Sequence, residues 1–258
     1  RRVGVRNVVF PTLAGFTRTV VTGGRRTRVA IARELWTTAK KYAAPNIGVI
    51  DVSQLIPQGR NHVVTGVVHD YNSLVVAALC SRVGCRRFFE IGTYLGETTW
   101  TVAASNPEVE IYTLDLPSVN AFQDLMYEGT DPINFERWDR GTTFHGTPEE
   151  NRIHQLFGDS ATFDFSPYHG SIDVVYIDGS HSYTYVKNDT EAALKLLRAG
   201  GTIVWDDFMY PGVFTYLNDI STSLEGPLSF VNGTRMAVYS TASDLMIRPG
   251  RNLAPTEG

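Results

Sequence analysis

Short apolar runs alternate with helix-like stretches between about residues 70 and 240 of the chain. Apolar runs of strand length predict β-strands, and apolar residues at spacings of three and four predict helices. The predicted strands are Arg87–Ile91, Glu110–Leu114, a short one near His154–Phe157, Ile172–Ile177, Thr202–Trp205, Leu228–Val231 and Arg235–Tyr239. The predicted helices are Ser73–Val83 with Asn72 as its cap, Gly96–Ala104, Lys187–Arg198, and Pro211 to about Leu224. This alternation indicates an α/β protein.

The order of these elements predicts a doubly wound, mostly parallel, seven-stranded sheet. Strands joined by helices form parallel sheets with right-handed crossovers, and the helices cover both faces. Asn232-Gly233 predicts a two-residue hairpin, which makes the C-terminal strand antiparallel. Ligands of such a sheet bind beyond the carboxyl ends of the strands, where the strand order reverses.

The chain before this sheet is predicted to be a helical appendage. Residues 26–44 place apolar side chains at helical spacing with cations on the opposite face, which predicts an amphipathic helix. Residues 46–66 are predicted to be irregular, because proline and glycine interrupt them. We divide the chain into a basic arm and helix at 1–67, a main domain at 68–247 and a flexible tail at 248–258.

Charge is distributed unevenly along the 258 residues, whose formal net charge is −4. Residues 1–41 carry ten Lys or Arg against one acid, a local net charge of +9, and the remainder carries −13. Such a segment can bind a polyanion or dock against an acidic surface. Because no basic stripe continues into the main domain, we expect docking to a second subunit or a larger polypeptide rather than to nucleic acid.

Hydropathy and cysteine content predict the cellular compartment of the protein. No apolar run approaches the roughly 18 residues that span a bilayer, and the start has no signal-peptide pattern. The two cysteines, Cys80 and Cys85, suit a reducing compartment and lack metal-binding spacing. We expect a cytoplasmic protein with no membrane partner. Because the sequence begins with Arg1, we also expect it to be trimmed or cut from a longer polypeptide.

The first predicted strand runs into a glycine-containing turn and then a helix. The segment Glu90-Ile91-Gly92-Thr93-Tyr94-Leu95-Gly96 allows a sharp turn at one glycine and the close approach of a ligand or helix at the other. Such a turn can also be only a tight strand-to-helix connection. The next strand ends at Asp115, whose carboxylate can accept both hydroxyls of a ribose. Together they predict a nucleotide-like ligand.

Two ligand classes fit this loop. A dinucleotide carries a pyrophosphate and favours the spacing G-x-G-x-x-G, which this sequence lacks. S-adenosylmethionine has no phosphate, but it has a cationic sulfonium and an amino group. Glu90, just before the glycines, suits that amino group better than a pyrophosphate. We therefore expect S-adenosylmethionine as the cofactor.

Acidic residues follow two further predicted strands. Asp178 and His181 come after one strand, and Asp206 and Asp207 follow the next. Adjacent parallel strands bring the three acids to one edge, where their repulsion favours a cation between them. Oxygen ligands indicate Mg²⁺ or a similarly hard ion. Alternatively, without a metal, Asp178 holds the methionine end of the cofactor or caps the next helix.

At these residues the chain resembles the class I S-adenosylmethionine-dependent methyltransferases, over roughly residues 68–240. Glu90 to Gly96 resembles their first motif, Asp115 their ribose-binding acid, and Gly158-Asp159-Ser160 their adenine-contacting turn. The resemblance implies a Rossmann-like methyltransferase fold. The cofactor-binding residues that it implies are Glu90, Gly92, Thr93, Tyr94, Gly96, Thr98, Asp115, Leu116, Asp159, Ser160, Asp178, Gly179, Ser180 and His181.

The later acids are similar to those of the metal-dependent O-methyltransferases of the catechol type and the macrocin-type sugar enzymes. This similarity implies Asp178, Asp206 and Asp207 as magnesium ligands, with Asp178 and His181 as catalytic residues. Asp207 departs from the catechol group, which has an amide there, and His181 stands where that group has a catalytic lysine. A neutral imidazole can take the proton of an acceptor hydroxyl, so we expect His181 to be the general base.

Residues 117–152 are too long for an ordinary connection and mix aromatic residues with acids and glycines. We expect an inserted lid over the acceptor, and a surface subdomain packed on itself is the alternative.

The expected function is divalent-metal-dependent O-methylation of a small hydroxylated acceptor, such as a sugar or another natural-product scaffold. The first alternative is a metal-free class I methyltransferase acting on oxygen or nitrogen. More remote alternatives are an NAD-dependent oxidoreductase and a non-catalytic ligand-binding domain.

Overall fold

One eight-stranded sheet organises the described part of the chain, which in this computed structural model comprises residues 47–51, 71–117 and 140–242. Its strands are β1 (Gly48–Asp51), β2 (Arg87–Ile91), β3 (Glu110–Asp115), β4 (Ile153–Phe157), β5 (Ile172–Ile177), β6 (Leu197–Trp205), β7 (Leu228–Asn232) and β8 (Ala237–Ser240). The α-helices are α1 (Tyr71–Val83), α2 (Glu97–Ser105), α3 (Tyr183–Leu196) and α4 (Pro211–Ile220), and single 3₁₀ turns lie at Pro148–Arg152 and Ser166–Tyr168. None of the helices described is long and apolar enough to cross a membrane.

The strands lie in the order β1-β7-β8-β6-β5-β2-β3-β4, and all run parallel except β8. The chain places β3 and β4 on one side of β2 and then returns to place β5 on the other side. The order therefore reverses between β2 and β5, which is where a doubly wound sheet binds its ligands. The predicted α/β architecture with an antiparallel C-terminal strand is confirmed.

Helices cover both faces of the sheet, so β5 is buried along its whole length. Val174 packs on one face with Leu79 of α1. Val175 points to the opposite face and packs with Leu196 and Leu217 from α3 and α4. A continuous apolar run is typical of a parallel strand that is buried on both faces. Polar groups that act on a ligand must therefore lie at or beyond the carboxyl ends of the strands.

β1 corrects two predictions, the seven-stranded sheet and an entirely irregular segment at 46–66. Gly48–Asp51 pairs in parallel with β7, and Ile50 is only 3% exposed. The strand is four residues long, and its partner lies near the other end of the described chain. Local periodicity could not reveal it, because only the distant partner makes this segment a strand.

Two helix starts also differ from the predictions. Asn72 lies inside α1 instead of capping it, and its side-chain amide donates to Asp206. α3 begins well before Lys187, because the Ser182 hydroxyl caps it by accepting a hydrogen bond from the Tyr185 backbone N–H. The loop after β5 is therefore shorter and more fixed than the sequence pattern indicated.

The turn between β7 and β8 is longer than the predicted two-residue hairpin. The last β7 residue paired with β8 is Phe230, which lies opposite Ala237. Within the loop, the Thr234 hydroxyl donates to the Val231 carbonyl oxygen at 2.8 Å. The longer loop carries Arg235 to the carboxyl end of β6, where it meets two acids.

Three predicted segments fall outside the described residues. They are the basic arm with its helix up to residue 46, the centre of the predicted lid at 118–139, and the tail at 248–258. The domain boundaries and the docking of the basic arm stay predictions.

We expect Ile50→Ala to lower the free energy of unfolding by about 2 kcal/mol or more, because the substitution leaves a cavity in the core beneath β1. Asp51→Ala, at the exposed neighbouring position, is the matched control and should change it by no more than about 0.5 kcal/mol. Urea denaturation measures both. Equal effects would contradict the packing of β1 on the sheet.

Candidate functional site

Gly92 brings the loops after β2 and β5 into direct backbone contact. Its φ is +105°, and a Cβ at this position would collide with the carbonyl oxygen of Asp178. The Asp178 N–H donates to the Ile91 carbonyl at 2.8 Å, and the Gly92 N–H donates to the Leu114 carbonyl at 2.8 Å. Only glycine both adopts this positive φ without strain and leaves room for the Asp178 carbonyl. This contact fixes the glycine loop against the segment that carries the predicted catalytic residues.

The described end of the predicted lid, residues 140–152, packs on the glycine loop. The Gly141 N–H donates to the Tyr94 carbonyl at 2.8 Å. The buried ring of Phe144 lies so close to Gly96 that a Cβ there would come within 2.6 Å of it. This part of the segment therefore forms a wall of the site, and its role as a lid over an acceptor stays a prediction.

Glu90 is 1% exposed beneath the glycine loop. The Thr99 and Thr113 hydroxyls both donate to its Oε2, the latter at 2.6 Å. Because a hydroxyl has one proton, Thr93 must donate to Thr113, whose oxygen is 2.6 Å away. Burial raises the pKa of Glu90 to about 7, although both threonine hydrogen bonds act to lower it. This carboxyl therefore changes charge near neutral pH.

Asp115 is held by backbone groups and by an arginine. Its Oδ2 accepts from the Tyr94 N–H and its Oδ1 from the Leu116 N–H, both at 2.7 Å. Arg140 Nε lies 3.3 Å from Oδ2, and both side chains are nearly buried. Burial raises the pKa of Asp115, and Arg140 opposes the shift. Sequence reasoning missed Arg140, which no motif marks within the long connection.

The predicted adenine-contacting turn is held in place by α3. Tyr185 Oη donates to Asp159 Oδ2 at 3.0 Å, and Asn188 Nδ2 donates to the Ser160 carbonyl at 2.9 Å. Asp159 Oδ1 also accepts from the Ala161 N–H at 2.9 Å. Tyr185 and Asn188 lie three residues apart, so they share one helix face. Sequence reasoning missed both, and their helical spacing was the available signal.

Three other predicted cofactor residues contact the protein itself. The Thr98 hydroxyl is 2.8 Å from Ser73 Oγ of α1. Ser180 Oγ lies 3.3 Å from the hydroxyl of the serine that caps α3. Gly179 packs near Asp189, a carboxyl whose pKa burial raises to about 6. These contacts shape the loops, and the binding roles of the three residues stay predictions.

Asp178, His181 and Asp207 form a cluster in which one ligand atom of each lies within 4.8 Å of the others. His181 Nε2 is 3.1 Å from Asp207 Oδ2, and its ring stacks on Tyr210 with centroids 4.2 Å apart. Burial raises the pKa of Asp178 well above its ordinary value, with Asp206 and Asp207 adding to the shift and His181 opposing it. The cluster thus concentrates negative charge.

Asp206, the third predicted metal ligand, has both oxygens engaged by protein groups. Oδ1 accepts from Asn72 Nδ2 at 2.6 Å and from the Asp207 N–H at 2.7 Å. Oδ2 accepts from Tyr176 Oη at 2.9 Å and from Arg235 Nη2 at 3.3 Å. Burial and the neighbouring Asp207 raise the pKa of Asp206, and Arg235 opposes the shift. The structure therefore brings His181, not Asp206, into the cluster.

The two adjacent acids diverge because Asp207 has a left-handed backbone, with φ at +49°. This conformation is uncommon for a residue with a side chain, and such strain concentrates at functional sites. The Tyr210 N–H donates to the Asp207 carbonyl at 2.8 Å, and Arg235 Nε lies 3.0 Å from Asp207 Oδ1. Sequence reasoning missed Arg235, because the hairpin was predicted to be too short to carry it here.

The donor chemistry of the cluster fits a divalent cation. Carboxylates suit Mg²⁺ and Mn²⁺, and an imidazole suits first-row transition ions. Burial and the neighbouring acids raise the pKa of Asp178, so a bound cation would favour its charged form. The glycine loop lies against the same segment, so a cofactor in the crevice would lie beside the cation.

Residues 89–208 match the sequence model of a family described as a methyltransferase domain. The matched stretch is slightly under half of the chain, and it contains Glu90, Asp115, Asp159 and the cluster. Among curated proteins, no sequence matches significantly.

Solved methyltransferase structures share the fold. A Staphylococcus aureus protein, provisionally assigned as a caffeoyl-CoA O-methyltransferase, is 15% identical with a TM-score of 0.52, and the match covers 68% of this chain and 84% of that one. The O-methyltransferase of Bacillus cereus, solved with SAH, is 16% identical with a TM-score of 0.44, covering 79% and 90%. TomG of Streptomyces achromogenes, an O-methyltransferase of tomaymycin synthesis solved with SAM, is 16% identical with a TM-score of 0.48, covering 81% and 98%. Of these, only the Staphylococcus aureus structure has a TM-score above 0.5, and at its identity the likeness shows the fold alone.

The family match and the sheet order agree on the class of the domain. The matched stretch is a class I methyltransferase domain. The chain accordingly contains a methyltransferase domain, in agreement with the prediction from its first motif. The family match specifies neither the acceptor nor a metal.

We expect Gly92→Ala to weaken S-adenosylhomocysteine binding by about tenfold or more, the equivalent of about 1.4 kcal/mol. The new Cβ would push the loops after β2 and β5 apart. Gly146→Ala is the matched control, because Gly146 also has a positive φ, at +75°, but its Cβ would meet no atom within 4 Å. The control should cost only the backbone strain, about 1–2 kcal/mol of unfolding free energy, and should leave binding unchanged. Calorimetric titration and urea denaturation test both variants.

Glu90 should make the protein less stable as the pH rises. Between its ordinary value of 4.5 and about 7, the folded state holds the carboxyl proton more tightly than the unfolded chain. The free energy of unfolding should therefore fall across this range, by on the order of 3 kcal/mol, and level off above it. Glu90→Gln, which keeps an acceptor oxygen for the threonines, should remove the part of the fall that Glu90 contributes, while Asp189, whose pKa is raised to about 6, keeps its own part.

The control for this measurement is Glu108→Gln, which changes an exposed carboxyl paired with Arg86. Urea denaturation between pH 5 and pH 8 should give this variant the same pH dependence as the wild type. If Glu90→Gln also keeps the wild-type dependence, the carboxyl of Glu90 does not titrate in that range.

Proposed function

We propose that this protein transfers the methyl group of S-adenosylmethionine to a hydroxyl oxygen of a small acceptor, assisted by Mg²⁺ or a similar divalent cation. The observation that carries the proposal is the cluster of Asp178, His181 and Asp207. It lies directly against the glycine loop, where the strand order reverses. A sugar or another natural-product scaffold is the proposed class of acceptor.

The cofactor would lie across the carboxyl ends of β2, β3 and β4. In this proposal Asp115 accepts the ribose hydroxyls, and Asp159 lies in the turn beside the predicted adenine position. Glu90 supplies negative charge beneath the methionine end. A cationic ammonium or sulfonium nearby would lower the pKa of Glu90 and favour its charged form.

In this proposal Asp178 and Asp207 hold the cation. When bound, it supplies positive charge that lowers the pKa of the acceptor hydroxyl. His181 takes the hydroxyl proton. Because Nε2 lies 3.1 Å from Asp207 Oδ2, we assign the ring proton to Nε2, which leaves the lone pair of Nδ1 as the base. Asp207 then also stabilises the imidazolium that forms, and stacking on Tyr210 keeps the ring in its plane.

His181 cannot be both a ligand and a base at one nitrogen. A cation on Nε2 would displace the contact with Asp207 and keep the ring proton on Nδ1, so His181 would have no lone pair left to take the hydroxyl proton. Methyl transfer itself needs only that acceptor oxygen, methyl carbon and sulfur lie in line, and positioning of the two substrates supplies much of its rate. The wall formed by Phe144 and the glycine loop would restrict the cofactor to one orientation.

A metal-free methyltransferase acting on oxygen or nitrogen is the second candidate. The observation that favours it is Arg235, whose guanidinium already pairs with both Asp206 and Asp207. In that case Asp207 and His181 act together as the general base without a metal, and Asp178 contacts the cofactor.

We expect Asp207→Asn to weaken Mn²⁺ binding by about tenfold or more, because a charged ligand is lost. Asparagine tolerates the left-handed backbone at this position, so the loop should keep its shape. Affinity for S-adenosylhomocysteine should change by no more than a few-fold. Asp219→Asn, an exposed acid that accepts from Tyr183 Oη, is the control and should bind Mn²⁺ like the wild type. Calorimetry measures both ligands.

The same proteins decide between the two candidates when they are assayed for methyl transfer to a panel of hydroxylated acceptors. Metal dependence requires that EDTA stops transfer and that Mg²⁺ or Mn²⁺ restores it. Full transfer in EDTA, together with wild-type Mn²⁺ binding by Asp207→Asn, would replace the proposal with the metal-free candidate.

A further inference from the structure

The hairpin loop between β7 and β8 places one guanidinium on two neighbouring carboxylates. Arg235 Nε lies 3.0 Å from Asp207 Oδ1, and Arg235 Nη2 lies 3.3 Å from Asp206 Oδ2. The second oxygen of Asp207 faces His181 at 3.1 Å. Asp207 therefore stands between Arg235 and His181 and contacts each with a different oxygen.

The loop that carries Arg235 is fixed from within. The Phe208 N–H, one residue beyond Asp207, donates to the Arg235 carbonyl at 2.8 Å. On either side of the arginine, Thr234 is 4% exposed and Met236 is fully buried. The Met236 N–H donates to the Thr234 hydroxyl at 2.9 Å. The backbone of Arg235 is therefore held against the loop after β6, and its guanidinium extends from this fixed position.

Two features of this arrangement need a group with the geometry of arginine. Adjacent carboxylates repel each other, and a positive charge must compensate them for both to stay ionised. The guanidinium is a planar fork with donors in fixed directions, whereas a lysine ammonium is a compact point charge. Arg235 donates to Asp206 through Nη2 and forms an ion pair with Asp207 through Nε, so it contacts both carboxylates at once.

We propose that Arg235 is a positioning residue, whose guanidinium turns Asp207 so that its Oδ2 points to His181 and into the Asp178–His181–Asp207 cluster. The inference rests on the proposed function for its use in catalysis, but the positioning itself is a property of the metal-free protein. Arg235 lies beyond the stretch that matches the methyltransferase family.

A competing role makes the opposite prediction. If Arg235 only neutralised the acids, its removal would take away a positive charge and strengthen cation binding. If it positions Asp207, its removal disorders a ligand and weakens cation binding, by about tenfold when a group that orients a ligand is lost. The sign of the change in Mn²⁺ affinity therefore separates the two roles.

The experiment uses the full chain and Arg235→Met. In the metal-free protein, the side-chain ¹⁵N and ¹³C signals of His181, assigned with His181→Ala, should report an imidazole with its proton held on Nε2. In Arg235→Met they should move towards those of an unrestrained histidine, and calorimetry should show Mn²⁺ binding about tenfold weaker. S-adenosylhomocysteine affinity should stay within a few-fold of the wild type.

Two further variants complete the test. Arg198→Met removes a guanidinium of similar exposure. Arg198 pairs with Asp173 near the amino ends of β5 and β6, away from the cluster, so the substitution should leave every readout unchanged. Arg235→Lys keeps the charge but not the fork, so it should remain close to Arg235→Met. Full recovery of Mn²⁺ affinity and of the His181 signals in Arg235→Lys would overturn the positioning role.

The remaining outcomes also test the role of Arg235 or the metal-dependent function. Unchanged His181 signals or tighter Mn²⁺ binding in Arg235→Met overturns the inference, and so does a parallel loss of S-adenosylhomocysteine binding, which would mean general unfolding. If the wild type itself binds no Mn²⁺, the metal-dependent function fails. In that case the His181 signals alone decide the role of Arg235.

Discussion

The backbone contact between Gly92 and Asp178 is the constraint on which the rest of the site depends. It joins the ends of β2 and β5, the two strands between which the sheet order reverses. Because any side chain at Gly92 would collide with the Asp178 carbonyl, the glycine loop and the loop that carries His181 can meet only at this distance. The predicted cofactor crevice and the Asp178–His181–Asp207 cluster are therefore built as one unit. A change in either loop must displace the other.

The acidic side chains at the carboxyl ends of the strands are stabilised in two ways. Glu90 is buried beneath threonine hydroxyls, and its pKa of about 7 allows it to stay partly neutral until a cation approaches. Asp115 and Asp207 instead pair with arginines, Arg140 and Arg235, that come from connections far away in the sequence. Burial makes an unpaired carboxylate costly, so each acid needs a proton, an arginine or a bound cation. The site is thus stable without ligands and also ready to accept positively charged ones.

Much of this site could be predicted, because its acids lie immediately after strands whose apolar runs are easy to locate. Asp115 is the last residue of β3 and Asp178 follows β5, and the topology of parallel strands brings such positions to one edge. Asp206 and Asp207 could not be told apart in the same way. They are adjacent in sequence, and only the left-handed backbone at Asp207 and the partners of Asp206 decide which carboxylate faces His181.

The sequence by itself determined the α/β class, the order of helices and strands and the glycine loop, because each follows from local periodicity or a short contiguous motif. Only the tertiary structure decided that Gly48–Asp51 forms an eighth strand and that Asn72 donates to Asp206 instead of capping a helix. It also decided that Arg140 pairs with Asp115 and that Arg235 pairs with Asp206. These features are contacts between groups that are distant along the chain. Their free energy depends on burial and on the path of the backbone, and no local pattern contains either.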